Sequence, residues 1–336
     1  MARDGTKNDW RKDLAPFEKA NLNKSVWQIM NSALPYVILW FLAWLSLNIS
    51  YWLSLPLLLA AAGFLVRIFI IFHDCCHKSF FKNRYANDIV GTLTGILTFC
   101  PYYQWRFSHS VHHASNGNLD KRGIGDIWTL TVNEYLESGP WKQLAYRLYR
   151  NPFILFLLGP IYIFLIDYRF NRKKANAKER MNTYLTNIGI VAVIFLLCWL
   201  IGWKAYLMIQ VPIFLVSSIA GVWLFYIQHT FEDGYFDWNE EWSYERAAME
   251  GSSFYKLPKW LQWFTGNIGY HHIHHLSPRV PNYYLEQTHN SNINYQKVPT
   301  ITLKDSIASI QFHLWDDQKK KFIRFKDLKK LANGSA

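Results

Sequence analysis

The chain has 336 residues, 51% of them hydrophobic, with 36 lysines and arginines against 24 acids for a net charge of +12. Its mean hydropathy of -0.06 is an average over long apolar blocks and strongly charged stretches, so a uniformly soluble composition is excluded. Four cysteines without framework spacing exclude a disulfide scaffold. Basic clusters flank the apolar blocks and no nucleic-acid motif accompanies them, which favours an anionic lipid surface over nucleic acid.

The first two dozen residues are polar and charged, and no cleavable signal peptide is expected. From Ala33 to His73 the sole charged side chain before the histidine is Arg67. That stretch of about 40 residues makes roughly 60 Å of helix, enough to cross a ~30 Å hydrocarbon core twice. Asn48, Ser50, Ser54 and Pro56 mark the expected turn. From Tyr184 to His229 the sole charge is Lys204, which predicts a second hairpin turning at Gly202, Trp203 and Lys204. The expected crossings are 33–53, 55–73, 184–202 and 206–228.

Two shorter apolar runs, 89–103 and 152–166, fall short of the ~20 residues that a spanning helix needs. If 89–103 crossed, the histidines on its two sides would lie on opposite faces of the membrane. Both runs are therefore expected to be interfacial or re-entrant. Arg3, Lys7, Arg11, Lys12, Lys19 and Lys24 precede the first hairpin. Arg169, Arg172, Lys173, Lys174, Lys178 and Arg180 precede the second. Both outer turns are short and hold one lysine between them, so the basic segments are assigned to the cytosol. With both termini cytosolic, 230–336 becomes a cytosolic C-terminal part. Ile301–Trp315 carries apolar residues near helical spacing and predicts an amphipathic helix. Lys319–Lys330 is a lysine-rich run suited to solvent or lipid headgroups. The expected fold is an all-α integral membrane protein: four transmembrane helices in two hairpins, re-entrant or interfacial helices, and a cytosolic helical cap. All of this forms a single domain over 1–336.

The chemistry lies in the 12 histidines. His73 and His77 stand four apart in HDCCH. His109, His112 and His113 form HSVHH, and His271, His272, His274 and His275 form HHIHH. Positions i, i+3 and i+4 share a helix face, so each cluster aims imidazoles in one direction. His229 emerges at the end of the fourth crossing onto the same side. His289 and His313 stand apart. Neutral imidazole suits iron, zinc, copper or nickel. A four-coordinate zinc uses four ligands, so nine candidates (His73, His77, His109, His112, His113, His229, His271, His274 and His275) point to two metals. Two irons with open positions for dioxygen fit this best. A non-enzymatic metal transporter or sensor is the remote alternative; transport is disfavoured, since transporters place ionisable ligands near the bilayer midplane and these lie at the membrane ends.

These boxes resemble those of the membrane fatty-acid desaturases: HxxxH, HxxHH and HxxHH. HDCCHKSFF, HSVHHASNGNLDKRGIGDIW, QHTFEDGYF and GNIGYHHIHHLSPRVPNYYL are particularly similar to the acyl-lipid Δ5 desaturases of bacilli. The resemblance implies that the nine histidines ligate a di-iron centre, with His229 matching the family's histidine after the fourth crossing. The centre would use O2 and two external electrons to place a cis double bond, at Δ5, in a phospholipid acyl chain of the plasma membrane. The boxes are shared with membrane hydroxylases and alkane oxygenases, which remain the alternative. In animal acyl-CoA desaturases an asparagine four positions before that histidine completes the set; here Phe225 stands there. No other catalytic side chain is assigned, because the chemistry belongs to the metal. Asp74, Asp126, Glu232 and Asp233 are the candidate partners for the second ring nitrogens, and Asn267 a candidate outer residue. Trp105, Phe107, Trp128 and Trp223 are candidate walls of an acyl tunnel. The sequence shows no haem, iron–sulfur or dinucleotide motif, so a separate donor is expected. An acidic ferredoxin or flavodoxin suits a basic cytosolic face.

Overall fold

The computed structural model describes residues 10–328. Arg3, Lys7, Lys329 and Lys330 of the basic segments lie outside the described residues. The described chain is mostly helical. A short α1 (Trp10–Leu14) precedes α2 (Leu22–Ser46) and α3 (Tyr51–His77). Next come α4 (Arg84–Leu97), α5 (Tyr102–Ser115), α6 (Val132–Leu136) and α7 (Pro140–Tyr149). A π-helical turn, Ile154–Leu158, leads into α8 (Gly159–Leu165), followed by α9 (Ala177–Ile201) and α10 (Trp203–His229). The C-terminal part holds α11 (Tyr244–Met249), α12 (Lys259–Phe264), α13 (His271–Leu276), α14 (Asn282–Ser291) and α15 (Leu303–Ser309).

Among the described residues, α2, α3, α9 and α10 are each long and apolar enough to cross a membrane. Their starts are fixed locally. Asn21 and Asn176 accept the backbone N–H of Lys24 and Glu179 at their helix N-termini. Gly202, at φ +84, supplies the tight turn between α9 and α10. The first turn comes earlier than expected. α2 stops at Ser46, and Ser54 and Pro56 lie inside α3 rather than in the loop. Ser54 is buried and its hydroxyl meets Ser46 Oγ at 2.7 Å, so the polar group is satisfied across the hairpin. Such bonds between membrane helices contribute about 0.6 kcal/mol on average. Close approach of the backbones matters more, and Ala43, Ala61 and Ala62 are fully buried in this interface. The outward side of α9 is unpartnered: Ile188, Val191, Phe195 and Trp199 form an exposed stripe. Lipid tails cover such a surface; water would not tolerate it.

The run 89–103 divides between α4 and α5. Ile89 and Leu93 are exposed on one side of α4, while Asn87, Gly91 and Gly95 are buried on the other. The break falls at Phe99, whose φ of 59° is unusual for a residue with a side chain. The run 152–166 contains the π turn and α8, and its axis is bent by 66° from α7. This is the geometry of a broken span or a re-entrant loop.

The C-terminal part is not purely helical. β1 (Leu130–Thr131) pairs in parallel with β4 (Leu314–Asp316), and β4 pairs antiparallel with β5 (Lys321–Ile323). β2 (Phe254–Tyr255) and β3 (Thr300–Ile301) form a second, parallel pair. The amphipathic helix expected over Ile301–Trp315 is therefore corrected to α15 alone. A capping box of Thr302 and Asp305 starts it, and the following residues leave it to pair with β1. Lys320 of the lysine run turns the β4–β5 hairpin at φ 49° and bonds Asp237 and Asp317. The main core (Val66, Ile70, Tyr226, Ile227, Ile273 and Leu285 among others) lies where the ends of α3 and α10 meet α13 and α14. That junction carries the histidines.

Candidate metal centre

Each histidine helix contributes to the junction from a different direction. α3 delivers His73 and His77 in its last turns, with Lys78 closing the helix in the left-handed conformation. α10 delivers His229 at its last residue. α5 and α13 carry the two HxxHH strings. The imidazoles separate into two groups. The first is His73, His77, His109, His113 and His274; the second is His112, His229 and His275. In each group the nearest ring nitrogens all lie within 4.8 Å of one another. His271 stands beside the second group, its Nε2 2.9 Å from His229 Nε2.

The adjacent pairs do the dividing. Neighbouring helical residues point about 100° apart, so His112 turns to one group and His113 to the other. His275 and His274 divide likewise. Thus α5 and α13 each join both groups, whereas α3 serves the first and α10 the second. The sequence expectation that each box points in one direction holds for the helix face but not for the individual ligands.

Spacing and burial fit metal ions. His112 Nε2 lies 3.2 Å from His229 Nε2, and His113 Nε2 lies 3.1 Å from His109 Nε2. Two nitrogens at right angles around a metal, with bonds of about 2.1 Å, are about 3.0 Å apart. All nine rings are buried or nearly so. Nε2 of His77, His274 and His275 has no hydrogen-bond partner among the described residues. Leaving a buried polar atom unpaired costs about 1–3 kcal/mol, and a cation satisfies all three lone pairs. Burial, reinforced by neighbouring imidazoles, holds His109, His113, His271, His274 and His275 well below the ordinary histidine value. They are neutral at neutral pH, the form that binds metal.

The opposite ring nitrogens are anchored. His73 Nδ1 donates to Asp74 Oδ1 at 3.0 Å, and His112 Nδ1 to Asp126 Oδ1 at 2.6 Å. Both contacts leave Nε2 facing the centre. His229 Nδ1 donates to the Gly251 carbonyl at 3.2 Å. Asp74 is itself held, its Oδ2 accepting from Asn282 N at 2.7 Å and Asn282 Nδ2 at 2.8 Å. No local sequence signal marks Asn282 or the Gly251 carbonyl for these roles. Glu232 and Asp233 correct the expectation. Glu232 is half-exposed and pairs with Lys321 at 3.3 Å, and Asp233 is exposed. Both sit past the end of α10, where the chain turns away from the rings. Asn267 donates to the Asn282 carbonyl at 3.4 Å and so reaches His73 only through Asn282 and Asp74. His272 points away from the centre to His289 Nδ1, at 3.0 Å. His313 stacks on Phe325.

An apolar cavity of about 590 Å³ reaches the first group at His109. Trp105 stacks on His109 with ring centroids 4.1 Å apart, and Phe225 lies 5.0 Å from His112; both line the cavity. Phe225 thus puts an aromatic wall four positions before His229. Of the four aromatic residues expected to line a tunnel, only Trp105 does so. Phe107 lies under the Arg172 guanidinium, Trp128 packs on Tyr146 and Tyr149, and Trp223 packs on Phe156. The cavity runs along α10 from Phe225 to Phe214, about 16 Å at helical rise.

Comparison with known proteins fits this arrangement. A family model for fatty acid desaturases matches residues 50–301. A Bacillus subtilis protein named fatty acid desaturase is 60% identical over 318 residues, covering 95% of this chain and 90% of the relative. The chloroplastic omega-6 fatty acid desaturase of Arabidopsis thaliana is 33% identical over 259 residues; the match covers 72% of this chain but only 54% of the longer plant protein. An sn-1 oleoyl-lipid 12-desaturase of Anabaena variabilis is 27% identical over 276 residues, or 77% of this chain and 74% of the relative. The chain belongs to the fatty acid desaturase family, oxidoreductases that act on acyl chains.

Proposed function

We propose that the protein is an acyl-lipid desaturase that places a cis double bond, at Δ5, in phospholipid acyl chains of the plasma membrane. It would do so with two irons, O2 and two electrons from a separate ferredoxin or flavodoxin. The observation that carries this reading is the convergence of nine imidazoles, eight in two groups and His271 beside the second, on one end of a long apolar cavity. A lipid-bound substrate agrees with that cavity and with the cyanobacterial relative, whose name describes an oleoyl lipid. The Δ5 position rests on the resemblance of the strings around the boxes to bacillary enzymes.

Orientation follows from charge. The basic residues at the starts of α2 and α9 lie at the same bundle end as the histidines at the ends of α3 and α10. The opposite end has only Lys204 in its two turns. The positive-inside rule places the histidine end in the cytosol, within reach of a soluble donor.

An unactivated C–H bond is beyond any acid or base on this chain, and bound iron supplies the dioxygen-dependent oxidising power. The protein's part is positional. In the first group His73 is steered by Asp74, and in the second His112 is steered by Asp126. Trp105 and Phe225 present apolar faces against the imidazoles and keep water from the rings. The cavity walls from Leu65, Phe69, Val222 and Phe225 hold a saturated chain by contact alone.

A fatty-acid profile tests the reading. The protein is expressed in a bacterial host that supplies ferredoxin or flavodoxin, and double bonds in the lipid acyl chains are located by mass spectrometry. A new olefin at Δ5, absent with His109→Ala and with His274→Ala, is expected. Hydroxylated chains in place of olefins would overturn it in favour of a membrane hydroxylase.

A further inference from the structure

A second apolar cavity, of about 520 Å³, lies between α2, α9 and α10. Ile194 and Leu197 of α9 line it, and Phe99 closes its side toward the first cavity. On the other side of Phe99 stands Phe214, which belongs to the wall of the first cavity. The two rings meet edge to face with centroids 5.5 Å apart. The neighbouring residue Thr98 lines the first cavity, while Phe99 lines the second. This ring contact thus lies between two adjoining apolar spaces.

The contact is built at a cost. Phe99 has φ 59°, a conformation that a residue with a side chain rarely adopts. Such strain persists only where the surroundings over-determine it, and here they do. Arg169 donates to the Phe99 carbonyl at 2.5 Å and to Asn187 Oδ1 of α9 at 2.6 Å, and Asn187 Nδ2 returns a bond to the Arg169 carbonyl at 2.9 Å. The next residue, Cys100, is tied back to the Gly95 carbonyl at 2.7 Å. A loop that only joined α4 to α5 would need none of this.

We propose that Phe99 and Phe214 form the end stop for the methyl end of the substrate chain, and that the second cavity is the overflow space which they deny to it. The inference rests on the desaturase reading for its occupant. That occupant follows from continuity: the first cavity begins at His109 and Phe225, and Phe214 stands about 22 Å along α10 from His229. A chain presented to the histidines points its methyl end at this pair. Chain-length preference is then set by the two rings. Opening them joins the spaces.

The test supplies the expression host with saturated fatty acids of graded length and measures the unsaturated fraction for each length in its phospholipids. Phe214→Ala removes one ring. Phe99→Gly removes the other and suits the positive φ. A pocket that excludes one extra methylene discriminates by at least about tenfold. Each variant is therefore expected to raise conversion of chains just beyond the wild-type limit by at least about tenfold relative to wild type. Adding Ile194→Trp to Phe214→Ala fills the second cavity and is expected to abolish the gain. An unchanged length limit in both variants, with olefins formed and the proteins present in the membrane, would overturn the end stop and leave the desaturase reading intact. A gain that survives Ile194→Trp would overturn the overflow role. The same length shift in hydroxylated products would uphold the end stop and overturn the desaturase reading.

Discussion

Asp126 Oδ1 lies 2.6 Å from His112 Nδ1, while His112 Nε2 lies 3.2 Å from His229 Nε2. One carboxylate on a loop therefore fixes which nitrogen of a buried ring faces the second histidine group. Asp126 is partly exposed, and among the described residues it bonds His112 alone. Asp126→Ala is expected to leave the fold in place and to lower metal affinity or turnover by about 10–100-fold. Metal content per chain, measured beside the olefin yield, checks this. Full metal retention with full activity would show that the contact steers nothing.

Asp74 has a different burden. It is buried and bonds His73, the Asn282 backbone and the Asn282 side chain at once. It thereby ties α3 to the start of α14. Asp74→Ala leaves the Asn282 N–H unpaired in the interior, at a cost of about 1–3 kcal/mol. Both the thermal midpoint in detergent and the metal content are expected to fall. A variant that loses metal with no change in midpoint would contradict the tie.

Gly221 lines the first cavity, and a Cβ built there meets nothing within 4 Å. Gly221→Leu improves helix propensity and projects into the space of the acyl chain. Turnover of long chains is expected to drop by at least about tenfold, with metal content unchanged. Equal turnover in product profiles of the variant and the parent would place the chain elsewhere.

His313 gives a pH dependence separate from the metal centre. Burial lowers it to about 4, helped by Arg150 and Arg147. An unfolded histidine titrates near ~6.5. As pH falls below that value the unfolded chain takes a proton that the folded chain refuses until about pH 4. His313 therefore costs no stability above the unfolded value, and progressively more as pH falls through the window. His313→Gln is expected to make the loss of thermal midpoint between about pH 7 and about pH 4.5 shallower than in the parent. Parallel curves would refute the assignment.

Much of the centre was legible because metal ligation leaves a local pattern. Residues four apart, such as His73 and His77, share a helix face whatever surrounds them, and long apolar blocks report membrane helices directly. Partners set by distant folding left no such trace. Leu314 and Trp315 looked helical because their pairing with Leu130 and Thr131 is made across about half of the chain. Asp126 and Glu232 looked alike beside their boxes, yet one loop closes back on His112 and the other turns out to Lys321. Trp223 lies two residues before Phe225, but it faces Phe156 while Phe225 faces the cavity. Helix rotation decides that difference, and rotation depends on packing.

Under the proposed function the two histidine groups would hold two irons that work together. Iron per chain is counted by elemental mass spectrometry on protein purified from iron-supplied cells, beside the olefin yield of the same cells. The parent is expected to hold two irons. The double variant His77→Ala, His113→Ala, altered in the first group alone, is expected to hold about one and to form no olefin. One iron in the fully active parent, or olefin formation by the double variant, would contradict the claim.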